Sequence, residues 1–321
     1  MSETGRQAAA RVLAATLTLL AREMERLAPP FSLWAESLEA DEIKQTAMSV
    51  AAGEAAVLWV DESHPARGLA IIRVMPLESA ILGEGSLRIV GPWLVEPDPV
   101  ERRQSARTIA VKARELSLKG GSKFVIVKTW HDPAILRGFI DEGFQVAEIT
   151  SRFSGPIEET KLPEFPFLYH AGLAIRTPAP PEREKWLEAL GELFYDGHYR
   201  HGPYLPQDFS ARIWRQIILR DMKKQLPTVF LWDERQRCPV GLAMAAVGGP
   251  AADLTVVHIN DDRRGEGLGR LLINELVRLM FQRGVTKLRA ETACWNLPAV
   301  SLYSSLGLRP RVPLVALHLE V

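Results

Sequence analysis

The pattern of apolar and polar residues predicts a chain in which helices and strands alternate. Helical spacing of apolar residues appears first at Ala8–Leu27 and Leu38–Ala52. Short apolar runs typical of strands follow at Ala55–Val60, Leu69–Met75 and Leu87–Val95. The next predicted elements are a helix, a strand, a helix and a strand: Val100–Leu118, Lys123–Lys128, Pro133–Glu142 and Gln145–Phe153. This order is typical of an α/β domain with a mixed sheet.

Prolines between Ser154 and Phe167 interrupt regular structure and predict a linker, after which the alternation begins again. The second half predicts a strand at Leu168–Arg176 and a helix from Glu182 to about Tyr195. The later predicted elements are a helix carrying Phe209 and Ile217, strands Thr228–Trp232, Val240–Val247 and Leu254–Ile259, helix Leu271–Phe281, strand Lys287–Thr292, helix Pro298–Ser305 and strand Val312–Val321. We therefore expect two domains, residues 1–155 and 168–321, joined by a linker at residues 156–167.

The two halves repeat one motif. A Gly-Gly-Ser-Lys turn ending at Lys123, a strand, Trp130 to Ala134, a helix and Gly143 follow one another in the first half. The same order, at an offset of about 164 residues, runs from Lys287 through Trp295 to Gly307. A repeat of this length predicts one fold used twice.

A glycine-rich stretch distinguishes the second copy from the first. Arg264–Arg270 (RGEGLGR) follows a predicted strand and opens a predicted helix, so its backbone can approach a ligand and present N–H groups to phosphate. The corresponding Val100–Arg107 contains no glycine, and Phe139 stands where the second copy has Tyr303. We therefore expect a first copy that neither cradles a pyrophosphate nor donates a proton.

The composition of the chain limits the kinds of binding partner that we expect. The 39 basic and 39 acidic residues balance, and the basic ones are dispersed, which argues against nucleic-acid binding. No apolar run reaches the roughly 18 residues of a membrane span. The two cysteines, Cys238 and Cys294, lie far apart without ligand spacing, so we expect no disulfide and no metal site, in a cytoplasmic setting. The oligomeric state is left open.

Residues 168–321 resemble the GCN5-related N-acetyltransferase (GNAT) superfamily. The resemblance rests on the R-x-x-G-x-G loop at Arg264–Gly269, on Asn296 with Ala299, on Tyr303 and on Gly307, within about sixty residues. Leu308 replaces the usual aromatic residue after that glycine. The resemblance implies the acyl-CoA N-acyltransferase (GNAT) fold in two tandem copies, the first of them degenerate.

Acetyl-CoA is the co-substrate that the resemblance implies. Its pyrophosphate would lie on the backbone of the glycine loop and its pantetheine beside the strand of Val257. The residues implied to bind it are Val257, Ile259, Arg264, Gly265, Glu266, Gly267, Leu268, Gly269, Arg270, Asn296 and Ala299. Tyr303 is the predicted general acid, because the departing thiolate needs a proton.

The general base is left open among three candidates. Strand alternation places Asp253, Thr255, Val257 and Ile259 on one face, with Asp253 eleven residues before Arg264, where several GNAT members have a catalytic glutamate. Glu291, on the neighbouring strand, is the second candidate. A water molecule alone is the third. His258 is expected on the opposite face, as a packed or surface residue.

The predicted acceptor region lies between the first helix of the second copy and its hairpin. Its candidate residues are Asp196, His198, Tyr199, Arg200, His201, Tyr204 and Trp214. Aromatic rings and arginine suit a nucleotide-linked sugar, and the stretch loosely resembles N-acetyltransferases of the dTDP-fucosamine type. We expect acetyl transfer in a ternary complex to the primary amine of a small molecule. The alternatives are a peptide or protein N-acetyltransferase and a non-catalytic sensor of acetyl-CoA.

Overall fold

The structure, a computed structural model, describes residues 11, 13–22, 40–157, 172–190, 193, 198–202 and 204–321. The chain forms two compact units. Unit 1 comprises Met1–Thr150, His201–Pro206 and Val312–Val321, and unit 2 comprises Ser151–Arg200 and Gln207–Arg311. Both units combine helices with a mixed sheet, as the sequence pattern predicts.

Unit 1 begins with helices and continues as a sheet covered by a long helix. Its elements are helix α1 (13–22), helix α2 (Ala40–Ala52), strands β1 (Ala55–Trp59) and β2 (Gly68–Val74), helix α3 (Pro76–Leu82), strand β3 (Gly85–Leu94), helix α4 (Pro99–Lys119), strand β4 (Ser122–Trp130) and helix α5 (Pro133–Ile140). The pairs β1–β2 and β2–β3 are antiparallel, whereas β3–β4 is parallel. Helix α4 buries Ile109, Ala110 and Ala113 in the apolar core of this unit.

The strand beside β4 comes from the far end of the sequence. Strand β5 (Gln145–Pro156) leaves unit 1 at Thr150, and the last strand, β11 (Arg309–Glu320), pairs antiparallel with β4 from Leu314–Trp130 to Glu320–Phe124. The compact units therefore do not coincide with the predicted domains 1–155 and 168–321, because each half gives a strand segment to the other unit. Most of the predicted linker lies outside the described residues.

Unit 2 contains strand β6 (Leu173–Arg176), helices α6 (Arg183–Ala189), α7 (His198–His201) and α8 (Phe209–Lys223), strands β7 (Thr228–Asp233), β8 (Cys238–Gly248) and β9 (Ala251–Ile259), helix α9 (Leu268–Phe281), strand β10 (Lys287–Ala293) and helix α10 (Leu297–Ser305). The final residue of α7, His201, is counted in unit 1. The strand order is β5-β10-β9-β8-β7-β6, and β9–β10 is the parallel pair among the four whose register is defined.

The two faces of the unit 2 sheet carry separate apolar layers. Helices α9 and α10 pack on one face with Val229, Leu231 and Ala243, while α6 and α8 pack on the other with Phe230 and Leu242. Because successive strand side chains point to opposite faces, adjacent residues of β7 enter different layers. Strand β9, which runs from this core to the glycine loop, is thereby supported on both faces.

Candidate functional site

Strands β9 and β10 pair over only part of their length. Their parallel register runs from Ala251–Lys287 to Leu254–Ala290 and ends there, although β9 continues to Ile259. The separation begins at a β-bulge. Thr255 is the extra residue between the partners of Met244 and Ala245, and its hydroxyl donates to the Met244 carbonyl at 3.1 Å. After the bulge, the edge of β9 that faces β10 therefore lies outside the segment that pairs with β10.

The same bulge corrects the predicted strand alternation. Ala252 and Leu254 belong to the α9 layer, Val256 belongs to the α8 layer, and Val257 is again packed against the α9 layer. One extra residue shifts the alternation by one position, so Asp253 does not share the face of Val257 and Ile259. Asp253 instead faces the same side as Val256.

The glycine loop is the start of α9. A 3₁₀ turn at Asp261–Arg263 leads into Gly265 and Gly267, which have φ values of 85° and 77°. Gly267 caps the helix with its backbone, without a side-chain hydrogen bond, and the first turn contains no acidic residue. A Cβ at Gly265 or Gly267 would meet nothing within 4 Å. The helix N-terminus is thus chemically suited to an anion.

The third glycine of the motif has a packing role. A Cβ at Gly269 would lie 3.3 Å from Cδ2 of Leu302 on α10, tighter than usual for side-chain contacts. Two arginines lie beside the loop: Arg264 pairs with Asp261 at 2.7 Å, and Arg270 donates to the Ser305 carbonyl at 3.5 Å. Their exposed guanidinium groups place positive charge around the helix start.

In unit 1, helix replaces the corresponding loop. At the offset of 164 residues, Arg264–Gly267 correspond to Val100–Arg103, which form the first turn of α4. Asp98 caps this helix, since its Oδ1 accepts from the N–H groups of Val100 and Glu101 at 2.7 and 3.0 Å. A carboxylate therefore already satisfies N–H groups of the kind that would bind phosphate.

A buried ion pair lies at the same helix start in unit 1. Arg102 is buried, pairs with Asp132 at 3.3 Å and donates to the carbonyl oxygens of Glu96 and Pro97 at 2.7 and 3.0 Å. Asp132 corresponds to Asn296 in unit 2, and each caps the helix that follows it. The repeated motif therefore performs the same capping in both units, while its surroundings differ.

Asn296 and Ala299 act together at the start of α10. The side-chain oxygen of Asn296 accepts from the Ala299 N–H at 3.3 Å, and its amide nitrogen donates to the Thr292 hydroxyl at 3.1 Å. The geometry therefore gives this pair a capping role, and contact with acetyl-CoA stays a prediction.

Tyr303 lies on the inner side of α10. It is 6% exposed, and its ring packs against Phe153 of β5 at a centroid distance of 5.7 Å. Burial raises the pKa of Tyr303 to about 12. The phenol is consequently protonated near neutral pH, which is the state that a general acid requires.

Both acidic candidates for the base are engaged in ion pairs. Arg289 of β10 binds the two carboxylate oxygens of Asp253 at 2.7 and 2.8 Å, and Glu291 pairs with Arg152 of β5 at 3.1 Å. These pairs give each carboxylate a structural role across neighbouring strands. Their catalytic role stays a prediction.

His258 is buried at 6% exposure on the Val256 face, as expected of a packed residue on the face opposite to Val257. Burial lowers its pKa, and the positive charge of Arg264 lowers it further.

The predicted acceptor residues are distributed over both units. Tyr199 is buried in unit 2, with its ring edge on Phe209 at 5.6 Å, and Trp214 is half-buried on α8. Tyr204 belongs to unit 1 and accepts a hydrogen bond from Gln145. Asp196 lies outside the described residues, and of His198 and His201 only the backbone is described. Arg200 is exposed.

Neither a metal-binding cluster nor a membrane-spanning helix is found within the described ranges. No group of three or more His, Cys, Asp or Glu side chains there has an arrangement that could hold a metal ion. No helix in those ranges has both the length and the apolar character needed to cross a membrane.

The second half of the chain is similar to known acetyltransferases. Residues 184–308 match the model of the acetyltransferase (GNAT) family. A mycothiol acetyltransferase of Thermomonospora curvata is 28% identical over 171 residues, which are 52% of this chain and 53% of that protein. A mycothiol acetyltransferase of Thermobispora bispora is 29% identical over 160 residues, 47% and 49% of the two chains. Each match thus covers about half of the relative.

Solved structures show the same architecture. A tandem GNAT protein from the clavulanic acid biosynthesis pathway aligns with a TM-score of 0.57 and 16% identity, over 97% of this chain and 95% of its own. A GCN5-related N-acetyltransferase from Sphaerobacter thermophilus aligns with a TM-score of 0.53 and 15% identity, over 78% and 76%. At these identities the likeness shows the fold, which confirms the predicted fold class.

Proposed function

We propose that this chain, which has the GNAT fold and matches the GNAT family model over residues 184–308, is an acetyl-CoA-dependent N-acetyltransferase. The observation that carries the proposal is the glycine-lined start of α9, which no side chain caps, in the same unit as the buried Tyr303. The N-terminal unit is proposed to be a scaffold that does not bind the co-substrate.

The residues of unit 2 fit the chemistry of a thioester with a diphosphate. When bound, acetyl-CoA supplies the activated acetyl group. The N–H groups from Gly265 to Gly269 would hold the diphosphate, and the edge of β9 beyond the bulge would lie beside the pantetheine. As the amine nitrogen bonds to the carbonyl carbon and the C–S bond breaks, Tyr303 would give its proton to the sulfur. The amine's surplus proton passes to a base or to water.

The proposed acceptor is the primary amine of a small molecule. The half-buried Trp214, the exposed Arg200 and the relationship to mycothiol acetyltransferases support this class. Nucleotide-linked amino sugars form a second group within it, motivated by the aromatic and basic stretch around Tyr199. Peptide amines are the alternative acceptors, and the same assay distinguishes them from small amines.

The test is release of CoA from acetyl-CoA by the purified protein. The acceptor panel contains the substrates of mycothiol acetyltransferases, nucleotide-linked amino sugars and a peptide array. We expect release with at least one small amine and none without an acceptor. Thermal stabilisation by acetyl-CoA without turnover on any acceptor would instead support a sensor, and turnover confined to peptides would overturn the small-molecule class.

One molecule of acetyl-CoA is expected to bind per chain. In unit 1 the helix cap by Asp98 and the buried Arg102–Asp132 pair occupy the region that corresponds to the glycine loop. Calorimetric titration should therefore give a stoichiometry near one. In Gly267→Val binding should be lost, because a β-branched residue is strained at a φ of 77°. A stoichiometry near two would show that unit 1 also binds.

A further inference from the structure

Glu266 presents an electrostatic problem within the glycine loop. Its carboxylate lies between Gly265 and Gly267, beside the proposed diphosphate site, where a negative charge would repel the ligand. Arg263 pairs with it twice, through Nε to Oε1 at 2.9 Å and Nη2 to Oε2 at 3.1 Å. This two-pronged bond offsets the charge and lowers the pKa of Glu266.

Arg263 is itself held by the turn between β7 and β8. Its Nη1 donates to Oδ2 of Asp233 at 3.0 Å, and Oδ1 of Asp233 accepts from the N–H groups of Arg235 and Gln236 at 2.8 and 2.9 Å. The Asp233 side chain is 9% exposed and that of Arg263 is 18% exposed. The result is a continuous chain of hydrogen bonds from the β7–β8 hairpin to the glycine loop.

We propose that Arg263 is a positioning residue for co-substrate binding, and that Asp233 and Glu266 are its two anchors. The loop contains two glycines with positive φ and would otherwise lose much conformational freedom on binding a ligand. By fixing Glu266, Arg263 holds the loop in the geometry that receives a diphosphate and neutralises the one acidic side chain of the Arg264–Arg270 stretch. This inference rests on the proposed function.

The experiment measures the Kd of acetyl-CoA and of acetyl-pantetheine, which lacks the diphosphate, for four proteins by calorimetry. Compared with the wild type, Arg263→Gln should weaken acetyl-CoA binding about 10- to 100-fold, as expected for a lost bond between charged groups. Glu266→Gln should have a smaller effect. The double variant should recover part of the loss, because the unpaired carboxylate is removed. Acetyl-pantetheine should bind all four proteins alike.

Arg176→Gln is the matched control. Arg176 pairs with both oxygens of Glu234 in the same unit, at 2.7 and 2.8 Å, but outside the loop. Thermal unfolding of every variant verifies that it folds. Wild-type affinity in Arg263→Gln, or equal losses for both ligands, would overturn the inference, and an unrecovered double variant would overturn the neutralising role. A wild type that does not bind acetyl-CoA would contradict the proposed function itself, and this inference with it.

Discussion

Replacing Tyr303 by phenylalanine should lower kcat by about 10²- to 10⁴-fold, the usual contribution of a general acid, without changing the Kd of acetyl-CoA. The substitution removes the hydroxyl and keeps the ring that packs on Phe153. Unit 1 has Phe139 at the corresponding position, where it is fully buried, so a phenylalanine ring satisfies the packing of this helix. Steady-state rates and calorimetry on the same preparation measure both quantities.

The raised pKa of Tyr303, about 12, extends this prediction to the effect of pH on kcat and on stability. Between about pH 7 and pH 9 the phenol keeps its proton. Titration of Tyr303 should therefore cause no loss of wild-type kcat in that range. The buried, neutral phenol also contributes stability below its ordinary pKa of 10.0, and this contribution is lost as the pH rises towards 12. An unchanged kcat in Tyr303→Phe, at an unchanged melting temperature, would remove Tyr303 from the mechanism.

Loss of strand β11 should unfold unit 1. The residues of β11 that pair with β4 include Val315, Ala316 and Leu317, all at most 1% exposed, and Val315 and Leu317 belong to the apolar core of that unit. Burying an aspartate at Leu317 costs more than the ~2–5 kcal/mol of a leucine-to-alanine change, a large part of a domain's ~5–15 kcal/mol. A chain ending at Arg311, and the Leu317→Asp variant, should therefore lose a cooperative thermal transition and become susceptible to proteolysis.

Glu320→Gln is the control for this prediction, since Glu320 is exposed on the same strand and also pairs with Phe124 in register. It should unfold at the wild-type temperature. If the chain ending at Arg311 kept both its melting transition and its protease resistance, β11 would not be needed for unit 1. The predicted N-terminal domain, residues 1–155, would then be an independent folding unit.

Local patterns of the sequence were sufficient for much of the fold. Helix α4 is predicted at Val100–Leu118 and found at Pro99–Lys119, because its caps and apolar spacing are contiguous in the sequence. The strand, loop and helix around Arg264 are likewise encoded within about thirty residues. The repeat at Lys123 and Lys287 correctly indicates that β4 and β10 occupy equivalent places.

Features that depend on distant pairing could not be predicted in this way. Strands β5 and β11 are similar apolar segments, so the sequence does not show which one lies beside β4. The bulge at Thr255 shifts the faces of β9 through a register with β8, and alternation alone places Asp253 wrongly. Arg263 binds Asp233, thirty residues earlier, and no local pattern marks that pair.

The position of β11 also reverses the order in which the chain can mature during synthesis. Domains usually fold as they leave the ribosome, with the N-terminal one first. Here the sheet of unit 1 is complete only after Val312–Val321 has been synthesised. By then Ser151–Pro156, the strand segment of the first half that belongs to unit 2, has already been made. If unit 1 needs β11 to fold, as predicted above, the later-encoded unit acquires its full sheet first, and we expect the nascent first half to be prone to aggregation until then.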